Sequence, residues 1–149
     1  LEPPKAENQN NGPLPQYFAD EFGWEDMVRK VAGIYNSLPA DERTRTMIFA
    51  SGGYGEAGAI DFFGPKYGLP KAVSAHQNYW YWGPRNYDGT TAIILGSDGS
   101  GDREHFASVQ VVDEVKHPYS RRDEWFPLLL CRGLKFNLKQ IWPRLKHWN

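Results

Sequence analysis

The feature that most constrains this chain is a run that is apolar on both faces. Residues 90–95 read Thr-Thr-Ala-Ile-Ile-Leu and lead into Gly96. Successive side chains of an extended segment point to opposite sides, so such a strand must be covered above and below. Residues 46–50 (Thr-Met-Ile-Phe-Ala) form a second run of this kind, followed by glycines. Periodicity alone does not separate a buried strand from a buried helix at this length. The shortness of the run and the glycines after it favour a strand. Residues 109–115 and 125–131 read as a third and fourth strand, and 71–75 as a short additional one.

Helical signals alternate with these runs. Over residues 22–36, Trp24, Met27, Val28, Val31, Ala32 and Tyr35 recur at steps of three and four and form one apolar stripe. Glu25 and Asp26 occupy the first turn, where the helix dipole favours negative charge. Pro39 ends the helix by disfavouring helical backbone at Leu38. Residues 55–63 read as a second helix closed by Gly64-Pro65, and 102–107 as a short one capped by Asp102. The expected fold class is therefore α/β: a sandwich with a mainly parallel central sheet flanked by helices. The last two strands, joined only by a loop, make it mixed at one edge.

Residues 1–15 carry Pro3, Pro4, Pro13 and Pro15 and almost nothing apolar, so they read as an extended linker. Residues 16–149 read as one domain. The chain has 149 residues, 40% of them hydrophobic, enough to bury about two-thirds of its unfolded surface. Its net charge of −1 weighs against a nucleic-acid binder. The single cysteine, Cys131, excludes an internal disulfide and multi-cysteine metal sites. It ends an apolar strand and reads as an inert buried thiol. The chain opens at Leu1 and reads as a processed or excised piece.

Three stretches could carry function. Gly53-Tyr54-Gly55-Glu56-Ala57-Gly58 fits G-x-G-x-x-G between a strand and a helix, where amides can approach a phosphate. The acid that should follow about twenty residues later to hold a ribose is absent, so a tight turn without ligand remains open beside anion binding. Next, residues 74–84 gather His76, Gln77, Asn78, Tyr79, Trp80, Tyr81 and Trp82 before Gly83-Pro84. Such a loop can stack on a sugar while its amides bind hydroxyls, or its rings can plug the core. Lastly, residues 132–149 hold Arg132, Lys135, Lys139, Arg144 and Lys146 with no acid, interleaved with Ile141, Trp142, Leu145 and Trp148. A membrane surface or a tail folded back on the domain would both suit that pattern. His76, His105, His117 and His147 lack helical metal spacing, and no metal or cofactor is expected. Glu56 and Asp61 lie about 140° apart around a helix, so they do not form a carboxylate pair on one face.

Several segments together carry a resemblance. Leu14-Pro15-Gln16-Tyr17-Phe18-Ala19-Asp20 with Gly23-Trp24, then residues 54–64 (Tyr-Gly-Glu-Ala-Gly-Ala-Ile-Asp-Phe-Phe-Gly), form the first part. His-Gln-Asn-Tyr-Trp-Tyr-Trp-Gly-Pro at 76–84 and Trp142-Pro143-Arg144-Leu145-Lys146 complete the set. They resemble the soluble C-terminal region of bacterial membrane glycosyltransferases of the protein mannosyltransferase and aminoarabinose transferase-like superfamily. Where that pattern commonly has Asn before Tyr-Gly, this chain has Gly53. The resemblance implies a non-catalytic, extracytoplasmic (periplasmic) domain, since the catalytic carboxylate of such enzymes lies in their membrane part. It implies the chain's own transmembrane glycosyltransferase domain as partner, and a polyprenyl-phosphate sugar or an acceptor as ligand. Residues Tyr54, Gly55, Glu56, His76, Gln77, Asn78, Tyr79, Trp80 and Trp82 are the candidate ligand contacts. A stand-alone nucleotide- or phosphate-binding enzyme and a protein-interaction module are the alternatives.

Overall fold

The computed structural model describes residues 23–116 and 125–148. The expected linker, the segment at 14–20 and His117 lie outside the described residues. The element order is α1 (Trp24–Ser37), α2 (Ala40–Arg43), β1 (Thr46–Ala50), α3 (Tyr54–Phe63), β2 (Thr91–Leu95), α4 (Asp102–His105), β3 (Phe106–Val115), β4 (Phe126–Leu134) and α5 (Leu138–Leu145). Two 3-10 segments, Gly64–Tyr67 and Gln77–Trp82, lie between α3 and β2.

The architecture is α/β, with a four-stranded mixed sheet in the order β1-β2-β4-β3. β1 and β2 are parallel, while β4 runs antiparallel to both β2 and β3. The expected strand at 71–75 contributes one parallel bridge, in which Val73 exchanges hydrogen bonds with Ile48 and Ala50 along the outer side of β1. The antiparallel part is wider than a single edge because β4 inserts between β2 and β3. Burial explains the order. Leu128, Leu129, Leu130 and Cys131 are buried on both faces, so β4 takes an interior position. β3 exposes Gln110, Val111, Asp113 and Glu114 and carries a register shift between Val111 and Asp113, which suits an edge.

Strand alternation sorts the core into two layers. Ile48, Ala50, Ile93, Leu95, Leu128 and Leu130 face α1 and α3. Met47, Ala92, Ile94, Leu129 and Cys131 face the other way, toward Leu138 and Trp142 of α5 and the half-buried Trp80. α1 buries the stripe Met27, Val28, Val31, Ala32 and Tyr35, and its C-cap Leu38 is extended before Pro39. Burial pushes the Cys131 thiol up to about 12, so it is not a nucleophile.

Two local expectations are corrected. α4 stops at His105 because Phe106 is buried and pairs with Leu134, which starts β3 three residues before the expected Val109. Asp102 does not cap α4: the N-cap is Gly101, and the Asp102 carboxylate accepts the Ser97 hydroxyl at 2.5 Å.

Leu129 lies at 0% exposure in an interior strand. Leu129→Ala is expected to cost about 2–5 kcal/mol of unfolding free energy, and Val111→Ala on the exposed edge about 0.5 kcal/mol or less. Urea denaturation of the two variants checks the strand order, since equal losses would place β3 in the interior.

Candidate functional site

Three chain segments leave the sheet side by side at the carboxyl end of its parallel part, the place where open α/β sheets hold ligands. After β1 come Ser51, Gly52 and Gly53; after the Val73 bridge comes His76; after β2 come Gly96 and Ser97. The Ser51 amide donates to the Leu95 carbonyl at 2.8 Å, which keeps the first and third exits together. Ser74 holds the second by donating its hydroxyl to the Ala50 carbonyl at 2.8 Å. The backbones of Gly52 and Gly96 then touch. A Cβ on Gly96 would lie 2.5 Å from the Gly52 nitrogen, and its φ of +81° is itself a glycine conformation.

Glu56 occupies this junction. It is half-buried, and its carboxylate lies 2.9 Å from where a Cβ on Gly52 would sit and 3.4 Å from one on Gly53. Burial raises its pKa above 4.5, only partly offset by a bond from its own backbone amide. Of the glycines of the expected phosphate turn, only Gly55 is required by packing. Gly53 is extended at φ 170°, a conformation open to any residue. Gly55 packs under Trp24, whose ring edge would meet a Cβ at 3.3 Å, and Gly58 faces open space. The negative charge at the N-terminus of α3 is supplied by the protein itself, which weighs against a second anion there.

His76 is the buried member of the site, 5% exposed, and among the described residues its Nδ1 has no hydrogen-bond partner. Tyr54 stacks on it with ring centroids 5.4 Å apart, and His147 tilts against it at 4.9 Å. Burial, then the neighbouring His147, lowers the His76 pKa below 6.5, so the ring is held neutral. His147 is fixed by backbone. Its amide donates to Ala75 at 3.2 Å, and its carbonyl accepts from Gln77 at 2.9 Å. Gln77 adopts a left-handed φ of 49° to make that turn.

The 77–82 segment splits its side chains three ways. The Tyr79 hydroxyl donates to Asp61 at 3.0 Å; burial, and next the Asp61 charge, push its pKa up to about 12. Asp61 also accepts the Ala72 amide at 2.8 Å, so it is a structural carboxylate. Trp80 turns inward, donating its indole N–H to the Trp142 carbonyl while Trp142 donates to the Trp80 carbonyl, both at 3.0 Å. Asn78, Tyr81 and Trp82 are exposed, and Trp82 meets Tyr79 edge-to-face at 4.7 Å.

Of the candidates, Tyr54 and His76 stack on one another at the strand ends, and Glu56 lies against the glycines of the same exits. Gly55, Tyr79 and Trp80 serve packing, and Asn78 and Trp82 face solvent beside Tyr79. Sequence reasoning missed His147, which pairs with His76 across the fold. It left the tail open between two readings, and the structure divides them. Trp142 is buried, Trp148 is 57% exposed, and Arg132 is bound to Glu42 at 2.6 Å rather than free. Comparison of the chain with protein-family models, with characterised proteins and with solved structures gave no match.

The Glu56 shift sets a pH signature. Below the ordinary value of 4.5 the carboxyl is protonated folded or unfolded and costs nothing. As pH rises through 4.5 toward the raised folded value, the unfolded chain ionises first and stability falls. Glu56→Gln is expected to raise the melting temperature at neutral pH, with the gain vanishing below pH 4.5. Thermal scans across that range check it; a destabilised variant at neutral pH would mean that the carboxylate has a partner.

Proposed function

We propose that the chain is a non-catalytic, extracytoplasmic C-terminal domain of a membrane glycosyltransferase that uses a polyprenyl-phosphate-linked sugar. Its role is to engage donor or acceptor, or to pack on the membrane part, through the aromatic surface of the 77–82 segment and the C-terminal strand end. The observation that carries this reading is the exposure of Tyr54, Tyr81 (63%), Trp82 (58%) and Trp148 around that surface. Burying an aromatic side chain removes about 150–250 Å² from water, a gain of a few kcal/mol per ring at about 25 cal/mol per Å². Several exposed rings, with Tyr81 and Trp148 gathered around Lys146, suit a surface made for a partner or ligand.

Two further features support the reading. Asp61 is committed to Ala72 and Tyr79, and Glu56 is enclosed by glycines, so neither forms an acid–base pair. Lys135, Lys139 and Arg144 are exposed near Trp148 in sequence, a combination suited to an anionic membrane face. Among the described residues no helix is long and apolar enough to cross a membrane. The alternative of a nucleotide-binding enzyme is weakened because the turn at 53–58 already holds the Glu56 carboxylate and Gly55 is taken up by packing on Trp24.

An antibody against this domain should recover it from the membrane fraction as part of a longer polypeptide. In that parent, Tyr81→Ala with Trp82→Ala is expected to lower sugar transfer at least tenfold at unchanged abundance. Recovery of the domain alone from the soluble fraction, or full transfer by the double variant, would overturn the proposal.

A further inference from the structure

The ammonium of Lys146 is held by rings rather than by a carboxylate. Its Nζ lies 4.5 Å from the ring centroid of Trp80, 4.3 Å from that of Tyr81 and 4.7 Å from that of Trp148. It donates one hydrogen bond, to the Tyr81 hydroxyl at 3.0 Å. Among the described residues no acid pairs with it. Each ring presents the negative side of its quadrupole to the cation.

Two of the three walls stand independently of the cation. Trp80 is anchored by its indole bond to the Trp142 carbonyl. Tyr81 meets Trp80 edge-to-face at 5.2 Å and 78°, which makes a corner of two nearly perpendicular rings. The third wall, Trp148, follows His147, whose backbone is tied to Ala75 and Gln77. Lys146 precedes His147, so one strap carries both the cation and the wall that closes over it.

The lining suits a different cation better than the one it holds. A primary ammonium is strongly hydrated and has three N–H donors, and the cage offers one oxygen. A quaternary ammonium has no donors to satisfy and leaves water more easily, and aromatic corners are the surfaces on which such groups are recognised. Lys146 holds the position because it is tethered beside it, where its effective concentration is high.

We propose that Trp80, Tyr81 and Trp148 form a binding site for a quaternary ammonium group, kept shut by the chain's own Lys146. The site shares Tyr81 and Trp148 with the aromatic surface described above, and the inference stands on this geometry rather than on the glycosyltransferase reading. The ligand is a trimethylammonium group, carried by a soluble metabolite or by a lipid headgroup.

The test uses the full chain with Lys146→Ala and Lys146→Gln, the second keeping much of the stem without the charge. Each is titrated with tetramethylammonium and with choline, following tryptophan fluorescence and the indole N–H signals in NMR spectra. Both variants are expected to bind at least tenfold more tightly than the parent, with the Trp80 and Trp148 indole signals moving. Adding Trp148→Ala to Lys146→Gln should remove that gain. Neopentyl alcohol, uncharged and of similar bulk, should not compete. Vesicles of phosphatidylcholine against phosphatidylglycerol then separate the two sources: capture by the former assigns the headgroup, and binding of free choline alone assigns a soluble ligand. No saturable binding by either variant would overturn the proposal, as would equal binding of neopentyl alcohol. Unfolding of both variants would make Lys146 a structural clamp and would overturn it equally.

Discussion

Trp80 and Trp142 each donate an indole N–H to the other's backbone carbonyl, across 62 residues of sequence. This reciprocal pair fastens α5 to the second face of the sheet. That face carries Met47, Ala92, Ile94, Leu129 and Cys131, and the eight-residue α5 lies over it. A helix of two turns is marginal by itself and depends on tertiary contacts. Asn137 caps it by accepting the Gln140 amide, and Leu138 and Trp142 are its buried anchors. The same two bonds fix the backbone of the 77–82 segment, so the directions of Tyr79, Tyr81 and Trp82 follow from them. A buried indole without an acceptor would cost about 1–3 kcal/mol, and here both indoles find one without recruiting a side chain.

The arrangement at the strand ends follows from a second constraint, the contact of Gly52 with Gly96. Parallel strands separated by β1–β2 pairing leave their exits side by side, and only backbones without side chains can approach this closely. The Glu56 carboxylate packs against these glycines, at a cost expressed in its raised pKa. His76 is held neutral nearby by burial and by His147. The two groups have opposite pH preferences. Glu56 favours acid conditions, whereas His76 loses stability as pH falls through the ordinary imidazole value of 6.5.

Much of the fold was legible because its strands obey a simple rule. β1, β2 and β4 are apolar on both faces, and α1 shows an uninterrupted stripe, so their presence follows from sequence. The order of the last two strands was not legible, since β3 and β4 pair whichever of them lies next to β2, and only the contrast between Leu128–Cys131 and the polar residues of β3 reveals that it is β4. α5 carries Pro143, which removes an amide donor from its interior, so its sequence shows no plain helical signal. At the candidate site, residues 74–84 stood out by composition, but composition could not say which ring points where. Trp80 and Trp82 differ by two positions and have opposite fates, because a 3-10 segment turns them to different sides. The partners of His76 and Trp80 lie near the C-terminus, and no local pattern links them.

The most direct measurement is solvent exchange of the tryptophan indole protons, assigned by single substitutions and followed by NMR. The Trp80 and Trp142 protons are expected to be protected to the level of the core amides, while those of Trp82 and Trp148 exchange at rates near those of free tryptophan. Rapid exchange at both Trp80 and Trp142 would show that the second face is not clamped, and protection at Trp82 and Trp148 would show that the aromatic surface is core.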